Sequence, residues 1–425
     1  MQGMDQNICI FADMERLITF VTEHLKDDIA RLVLDRKKWP EIDMDLAVNC
    51  IESRRKLRGK VQEWYDESRL IFPFKLSAEQ CSSSAAARYK AELARRIIGK
   101  ADGRISDLTG GLGVDSWHFS KIASKVLYNE MQTPLCEAAK HNFAVLGAAD
   151  IEISNCAVSS RSSSEGTSVE ALLGDFRPDL VFMDPARRGE GGKKVFLIEE
   201  CTPDVLTLKD EIFELCPHLL IKLSPMADIT MVCDRLGRKC REVHVVAAGG
   251  ECKELLIWMD RSWDGGYSIT AAELDNEGLA HTLTFDPSVP CEVIYSADEA
   301  DATFLFEPGK ALMKAGAFNV ISERFDLAKL GRSTHYFLMN KKKDELQYLG
   351  KTFRIMRTEP LDKRTMKAAG KEFPRSEVTA RNLPMDTDAL RKRLGVSSGD
   401  DAHIFGLKSD RSGNLLIIAR PEHNL

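Results

Sequence analysis

The residues best suited to chemistry lie in Asp107-Leu108-Thr109-Gly110-Gly111-Leu112-Gly113-Val114-Asp115. A short apolar approach, Arg104-Ile105-Ser106, precedes them, and Trp117–Ala123 follows with helical spacing. Strand, glycine turn and helix start are the parts of a nucleotide-type site. Glycines let the backbone come close to a ligand, and a helix N-terminus offers unpaired N–H groups. Ser116 stands where the dinucleotide fingerprint wants its third glycine, and no Gly-Lys-Ser/Thr closes the loop as a P-loop would. The next β-type run, Ser124–Asn129, ends in Glu130, placed to accept hydrogen bonds from both hydroxyls of a ribose.

Polar residues recur at the ends of the later apolar runs. Ile151-Glu152-Ile153 leads to Ser154-Asn155-Cys156, and Pro178–Met183 leads to Asp184-Pro185-Ala186-Arg187-Arg188. His218–Leu223 brings Lys222 and Ser224-Pro225, while Glu242–Ala247 and Glu254–Met259 flank a Gly249-Gly250 turn that also carries Glu251, Cys252 and Lys253. Helical patterns at Pro134–Leu146, Val169–Phe176, Pro203–Leu215 and Ile229–Leu236 separate these runs, and Ser159–Ser168 is a low-complexity loop. Alternating strands and helices imply a parallel sheet with right-handed crossovers, and the final hairpin adds an antiparallel strand. The fold class is therefore α/β with a seven-stranded Rossmann-like sheet, whose ligands bind beyond the strands' carboxyl ends.

An N-terminal helical region, residues 1–78, precedes that sheet. Its basic run Arg54–Lys60 reads as a solvated face, and Pro73 with a turn near Phe74–Ser77 closes it. The cluster Gln80–Ser84, running into Ala85–Leu93, reads as a helix start. After the sheet domain, 79–264, two small α+β domains are expected at 265–342 and 343–425. The first has short strands at Tyr267–Ala272, Leu283–Phe285, Val293–Ser296 and Phe304–Phe306 and one helix near Lys310–Phe318. The second has a helix at Leu390–Leu394 and a strand at Leu415–Ala419.

The 425 residues allow two or three domains, and 44% hydrophobic with 29% charged residues is ordinary for a soluble globular protein. No apolar run approaches a membrane span, and Met1–Asp13 lacks a signal pattern, so a cytoplasmic location is expected. Eleven cysteines without Cys-x-x-Cys pairs fit reduced thiols and give no metal site. The net charge of −6 is uneven: Lys341–Leu425 holds 18 Lys+Arg against 12 Asp+Glu. A basic tail on an acidic body points to a polyanionic partner, or to a solvated basic surface.

Asp107-x-x-x-Gly111-x-Gly113 together with Glu130 resembles the class I S-adenosylmethionine-dependent methyltransferases. The resemblance implies that Asp107, Thr109, Gly110, Gly111, Gly113 and Asp115 hold the cofactor's methionine end and Glu130 its ribose. It also implies an adenine contact at Asn155, where an Asp is commoner, and contacts from Tyr89 and Lys90 on a helix covering the cofactor. Asp184-Pro185-Ala186-Arg187 is similar to the Asp-Pro-Pro-Arg motif of RNA methyltransferases, which gives Asp184 a place beside cofactor and acceptor. Asp184, Arg187 and Lys222 are the expected catalytic residues. Arg187, Arg188, Ser224, Glu251, Lys253, Arg381 and Asn382 are the expected substrate contacts. Covalent catalysis is disfavoured, because the fifth strand ends without a thiol and Cys252 lies in the hairpin turn.

The longer phrases Ser83–Leu93, Ile221–Asp228, Glu251–Leu256, Phe306–Phe318 and Arg381-Asn382-Leu383-Pro384 resemble a bacterial family of uncharacterised class I methyltransferases. That family carries a ferredoxin-like domain and a THUMP-like C-terminal domain. That resemblance does not supply a substrate; with the Asp184–Arg187 motif and the basic tail, the expected activity is methylation of a base in structured RNA by direct in-line transfer, with RNA as the partner. A non-catalytic RNA-binding protein, or a methyltransferase for a protein or small molecule, is the alternative.

Overall fold

Val126-Leu127-Tyr128, Leu180–Met183 and Leu219-Leu220-Ile221 are runs with apolar side chains on both faces, and all are buried. Such runs form strands covered on both sides. The computed structural model describes residues 14–187, 198–295, 299 and 301–422. The chain divides into two units, Met1–Glu242 with Leu255–Gly266, and Val243–Glu254 with Tyr267–Leu425.

Unit one contains β1 (Arg104–Asp107), β2 (Lys125–Asn129), β3 (Ile151–Ser154), β4 (Leu180–Met183) and β5 (His218–Leu223). It also holds the base of the hairpin β6 (Cys240–Ala248) and β7 (Glu251–Asp260), whose tip falls in unit two. The strand order is β3-β2-β1-β4-β5-β7-β6. β1 pairs in parallel with β2 and β4, and β4 pairs in parallel with β5. β7 runs antiparallel to β5, Leu255 opposite Leu223. The expected seven strands are present with β7 antiparallel among them, but the sheet is larger than expected: it has nine strands, because Ser268–Leu274 and Ala280–Phe285, expected in a separate small domain, continue it beyond β6.

Helices α1 (Met44–Leu57), α2 (Ser84–Ile98), α3 (Val114–Ser120), α4 (Thr133–Val145), α5 (Val205–Leu215) and α6 (Ile229–Leu236) belong to the same unit. Ser83 caps α2, its side chain accepting from the Ala86 N–H, as the serine cluster predicts. Two expectations need correction. Phe74–Ser77 is no turn, because a helix begins at Lys75. Arg54 is not solvated: its guanidinium is buried and donates to the carbonyls of Tyr65, Glu67, Ser68 and Leu70, pinning the segment after α1. Asn142 of α4 fixes Ile71 through both backbone groups, at 2.8 and 2.9 Å.

Unit two holds the hairpin tip, β8 (Ser268–Leu274) and β9 (Ala280–Phe285), with β8 beside β6. It also holds a seven-stranded sheet built from β10 (Phe304–Pro308), β11 (Ala328–Lys329), β12 (Phe337–Met339), β13 (Gly350–Pro360), β14 (Arg375–Arg381), β15 (Ser397–Ser409) and β16 (Gly413–Pro421). Its order is β11-β12-β10-β13-β16-β15-β14. The single helix expected at Lys310–Phe318 is two, α7 (Lys310–Lys314) and α8 (Phe318–Arg324). Gly316, with φ +70°, takes the left-handed turn that separates them. Val293–Ser296 forms no strand among its described residues, only a bridge from Tyr295 to Lys329. α9 (Lys363–Glu372) and α10 (Thr387–Leu394) cover one face, over Met366, Ala369, Leu390, Ile404 and Ile418. No helix among the described residues is long and apolar enough to cross a membrane.

Candidate active site

The carboxyl ends of β1, β2, β4 and β5 bring the chemistry-bearing residues of unit one together. Asp107 ends β1 and is buried. Its carboxylate accepts from the Thr109 N–H at 3.1 Å and from Ser116 Oγ at 2.5 Å. Burial raises its pKa to about 7; the two hydrogen bonds oppose that rise, and the nearby Asp115 and Asp184 charges add to it. Ser116, noted in the sequence only as a missing glycine, is thus the hydroxyl that steadies the first acid.

The loop between β1 and α3 is drawn tight against β2. The Gly110 N–H donates to the Asn129 carbonyl at 2.7 Å, and the Gly113 N–H to the Gly110 carbonyl at 2.9 Å. A Cβ at Gly110 would lie 2.1 Å from the Tyr128 ring, which is fully buried and donates its hydroxyl to the Gly111 carbonyl at 2.6 Å. Only glycine fits there. Glu130 binds the loop from the other side, one carboxylate oxygen accepting from Gly111 N–H at 3.0 Å and the other from Gln132 N–H at 2.8 Å. Each oxygen retains a second lone pair.

Asn155 donates to the Glu130 carbonyl at 2.7 Å and accepts from Thr133 Oγ1 at 2.8 Å, so its amide stands against the second-strand acid. It also lines a cavity of about 750 Å³ between α4 and β3, shared with Thr133, Cys136, Phe143 and Ile151. The glycine loop does not line that cavity. Sequence reasoning missed Asn129. It is buried, donates to the Leu108 and Cys156 carbonyls and accepts from the Cys156 N–H, tying three strand ends to one side chain.

A second cluster joins α2 to the loop. Lys90 is fully buried, with its Nζ 2.9 Å from Ser82 Oγ and 3.2 Å from Asp115 Oδ1. Ser82 Oγ donates to Asp115 Oδ2 at 2.8 Å, whereas Asp115 Oδ1 makes no aligned hydrogen bond despite the ion pair. Tyr89, the neighbouring candidate, is half-buried on α2. Ser82 was legible only as part of a helix start; its chemical place comes from a partner 33 residues away.

β4 and β5 supply the remaining groups. The Asp184 N–H donates to Thr109 Oγ1 at 2.6 Å, locking the β4 end to the loop. Asp184 Oδ2 accepts from Lys222 Nζ; the lysine side chain is 13% exposed and the aspartate 39%. The acid therefore keeps a solvent-facing oxygen while its partner is held inside. Ser224 Oγ accepts from the Met226 N–H at 3.2 Å. Arg187 contributes backbone to a short strand with Cys201-Thr202, and Arg188 lies outside the described residues.

The other expected substrate contacts belong to unit two. Glu251 and Lys253 pair with each other at 2.6 Å on the hairpin. Asn382, with φ +55°, donates to Thr334 Oγ1 at 3.0 Å. Arg381 faces Tyr336, whose hydroxyl donates to Glu307 at 2.6 Å. Arg381 and Asn382 thus tie the end of β14 to the segment before β12.

Sequence-family models match residues 304–346 as a ferredoxin-like domain and residues 350–421 as THUMP domain-like. No curated protein sequence matches the chain. Among solved structures, the chain is similar to a candidate methyltransferase from Porphyromonas gingivalis W83, at 26% identity and a TM-score of 0.80, over 97% of this chain and 99% of that one. An rRNA methylase from Streptococcus thermophilus aligns at 12% identity and a TM-score of 0.28, over 40% of this chain and 94% of its own. A SAM-dependent methyltransferase from Aquifex aeolicus aligns at 16% identity and a TM-score of 0.29, over 41% and 92%. The full-length likeness to the first gives the chain a methyltransferase fold.

Proposed function

We propose that this chain, with a methyltransferase fold followed by ferredoxin-like and THUMP-like domains, is an S-adenosylmethionine-dependent methyltransferase that methylates a base in structured RNA. One observation carries the reading: four adjacent strand ends of unit one converge as an acid with a glycine loop, a ribose-type acid, and an aspartate–lysine pair. The residues fit the cofactor. Asp107, Asp115 and Asp184 surround the loop with acid groups suited to a cationic ligand, and Asp115 Oδ1 has hydrogen-bonding capacity to spare. Gly110 leaves the space that a Cβ would fill, and Glu130 keeps lone pairs for two hydroxyls.

When bound, the cofactor supplies an electrophilic methyl group on a sulfonium that departs as a neutral thioether. The chain's task is then to aim the acceptor and to take its proton. Lys222 fixes one oxygen of Asp184, and the exposed oxygen orients the acceptor in line and accepts the proton it sheds. Thr109 holds the backbone of Asp184 at the glycine loop, so acceptor and methyl donor share one frame. By their chemistry, Arg187 and Arg188 suit a base face or a phosphate of the substrate. No aromatic follows Asp184, so stacking falls to a guanidinium.

Calorimetry with S-adenosylmethionine and its demethylated product tests the cofactor. Mass spectrometry of RNA nucleosides from cells with and without the protein tests the acceptor. Binding of a nicotinamide dinucleotide instead, or of neither ligand, would sink the reading.

A further inference from the structure

The structure sorts the basic charge of the C-terminal segment into two classes. Arg354 pairs with Glu422, Arg357 with Glu359 and Glu372, and Arg375 with Asp400 and Asp401. These arginines are neutralised within the fold. Lys363, Arg364, Lys367 and Lys371 of α9 are exposed, and no carboxylate lies within ion-pair distance of them among the described residues. The acids of the same helix are engaged elsewhere. Asp362 caps the Arg364 and Thr365 N–H groups, and Glu372 faces Arg357.

Spacing makes the free cations a line. Lys363, Lys367 and Lys371 recur every four residues, about 6 Å apart along the axis, and Arg364 flanks them. The neighbouring face of α9 buries Met366 and Ala369 in the core over the sheet and Gly370 against α10, while the line itself stays exposed. The helix itself gains little from it, since only Lys371, in the last turn, and Arg364, beside the Asp362 cap, are favourably placed. Like charges four apart repel, and Lys363 sits at the positive end of the helix dipole, with no acid in the first turn. The C-terminal end of α10, with exposed Lys392 and Arg393, meets α9 where Leu394 packs on Gly370. A pattern that adds little to the isolated fold, and is left unpaired while neighbouring arginines are neutralised, fits an external polyanion.

We infer that the outward stripe Lys363, Arg364, Lys367 and Lys371 of α9 docks the sugar–phosphate backbone of RNA. This rests on the RNA reading above and adds the surface that performs it. Evenly spaced ammonium groups contact phosphates without reading bases, so the stripe holds RNA by charge and shape.

Two triple variants of the full chain carry equal changes in net charge: Lys363→Gln/Lys367→Gln/Lys371→Gln and Arg354→Gln/Arg357→Gln/Arg375→Gln. Filter binding of a short synthetic RNA duplex and of total RNA is measured across a salt series, with melting curves to verify folding. The lysine variant should flatten the slope of log affinity against log salt by about 2 to 3, the counterions of three phosphates. The arginine variant should leave the slope near wild type. Equal flattening in both, or none in the lysine variant, would overturn the stripe while leaving the RNA reading intact. Weak, salt-independent retention of RNA by the wild type would overturn both. An equal, parallel loss of binding to heparin, a sulfated polyanion, and to RNA by the lysine variant supports the stripe as a site that holds backbone charge without reading bases, whereas loss toward heparin alone overturns it.

Discussion

Replacing Asp115 with alanine and Lys90 with methionine, singly and together, tests whether the helix before the first strand and the glycine loop are energetically one piece. The Lys90 side chain is 0% exposed and that of Asp115 is 12% exposed, with the charged atoms 3.2 Å apart. At an effective dielectric near 20 this separation gives roughly 5 kcal/mol of attraction, most of it offset by dehydration of the ammonium. Asp115→Ala removes the carboxylate facing a buried cation, at an expected cost of about 3–5 kcal/mol. Lys90→Met keeps the volume and leaves Asp115 its Ser82 hydroxyl and access to water, so about 1–2 kcal/mol is expected. The double variant loses both charges and should fall short of the sum by about 2 kcal/mol. All five tryptophans, Trp39, Trp64, Trp117, Trp258 and Trp263, lie in unit one. Urea denaturation followed by tryptophan fluorescence therefore reads this unit alone. Costs that add within about 0.5 kcal/mol would refute the coupling. A Lys90→Met variant of unchanged stability but lost ligand affinity would make Lys90 a cofactor contact instead of a clamp.

Glu130→Ala should weaken S-adenosylmethionine binding by roughly 1–3 kcal/mol, the range for a lost charge-assisted hydrogen bond, and calorimetry showing wild-type affinity would remove Glu130 from the site. Asp107, raised from the ordinary 3.8 to about 7 by burial, makes the folded state bind more protons than the unfolded state between those values. Stability of unit one should therefore fall as pH rises through that window, and Asp107→Asn should flatten the dependence in fluorescence-monitored urea titrations at several pH values; an unchanged slope speaks against a buried acid of this kind. Asp184→Ala should abolish most turnover at nearly unchanged cofactor affinity, and Lys222→Met should lower turnover in the same direction. Wild-type turnover in Asp184→Ala would reduce that residue to a turn former.

The sheet of unit one was legible because β2, β4 and β5 carry continuous apolar runs closed by polar residues. Burial on both faces demands the first, and ligand access at the carboxyl ends allows the second. The site residues that escaped are those whose role depends on a distant partner. Ser82 needs Asp115, Ser116 needs Asp107, and Asn129 needs the carbonyls of Leu108 and Cys156. Sequence spacing carries no trace of such pairings. The same limit explains Arg54, where a basic run concealed one guanidinium turned inward onto four carbonyls. α9 went unread because its buried face is small, Met366, Ala369 and Gly370, too little for an apolar stripe to stand out among four cations. The basic tail was seen as one charge, and only tertiary contacts divide it into paired arginines and open lysines.

The two C-terminal family matches meet inside a single sheet. β10, from the ferredoxin-like stretch, pairs with β13, from the THUMP-like stretch, through Phe304–Pro308 against Arg354–Gly350. Tyr336, before β12, packs on Phe405 of β15, so their apolar core is common as well. A cut between residues 346 and 350 would leave β10 with a bare hydrogen-bonding edge beside newly uncovered Leu305, Tyr336 and Leu338, the pattern that recruits foreign strands. Deleting the last module is thus a poor way to ask what it binds, because the remnant would acquire a stickiness of its own. For protein engineering the pair is therefore one part, to be moved, expressed and unfolded together.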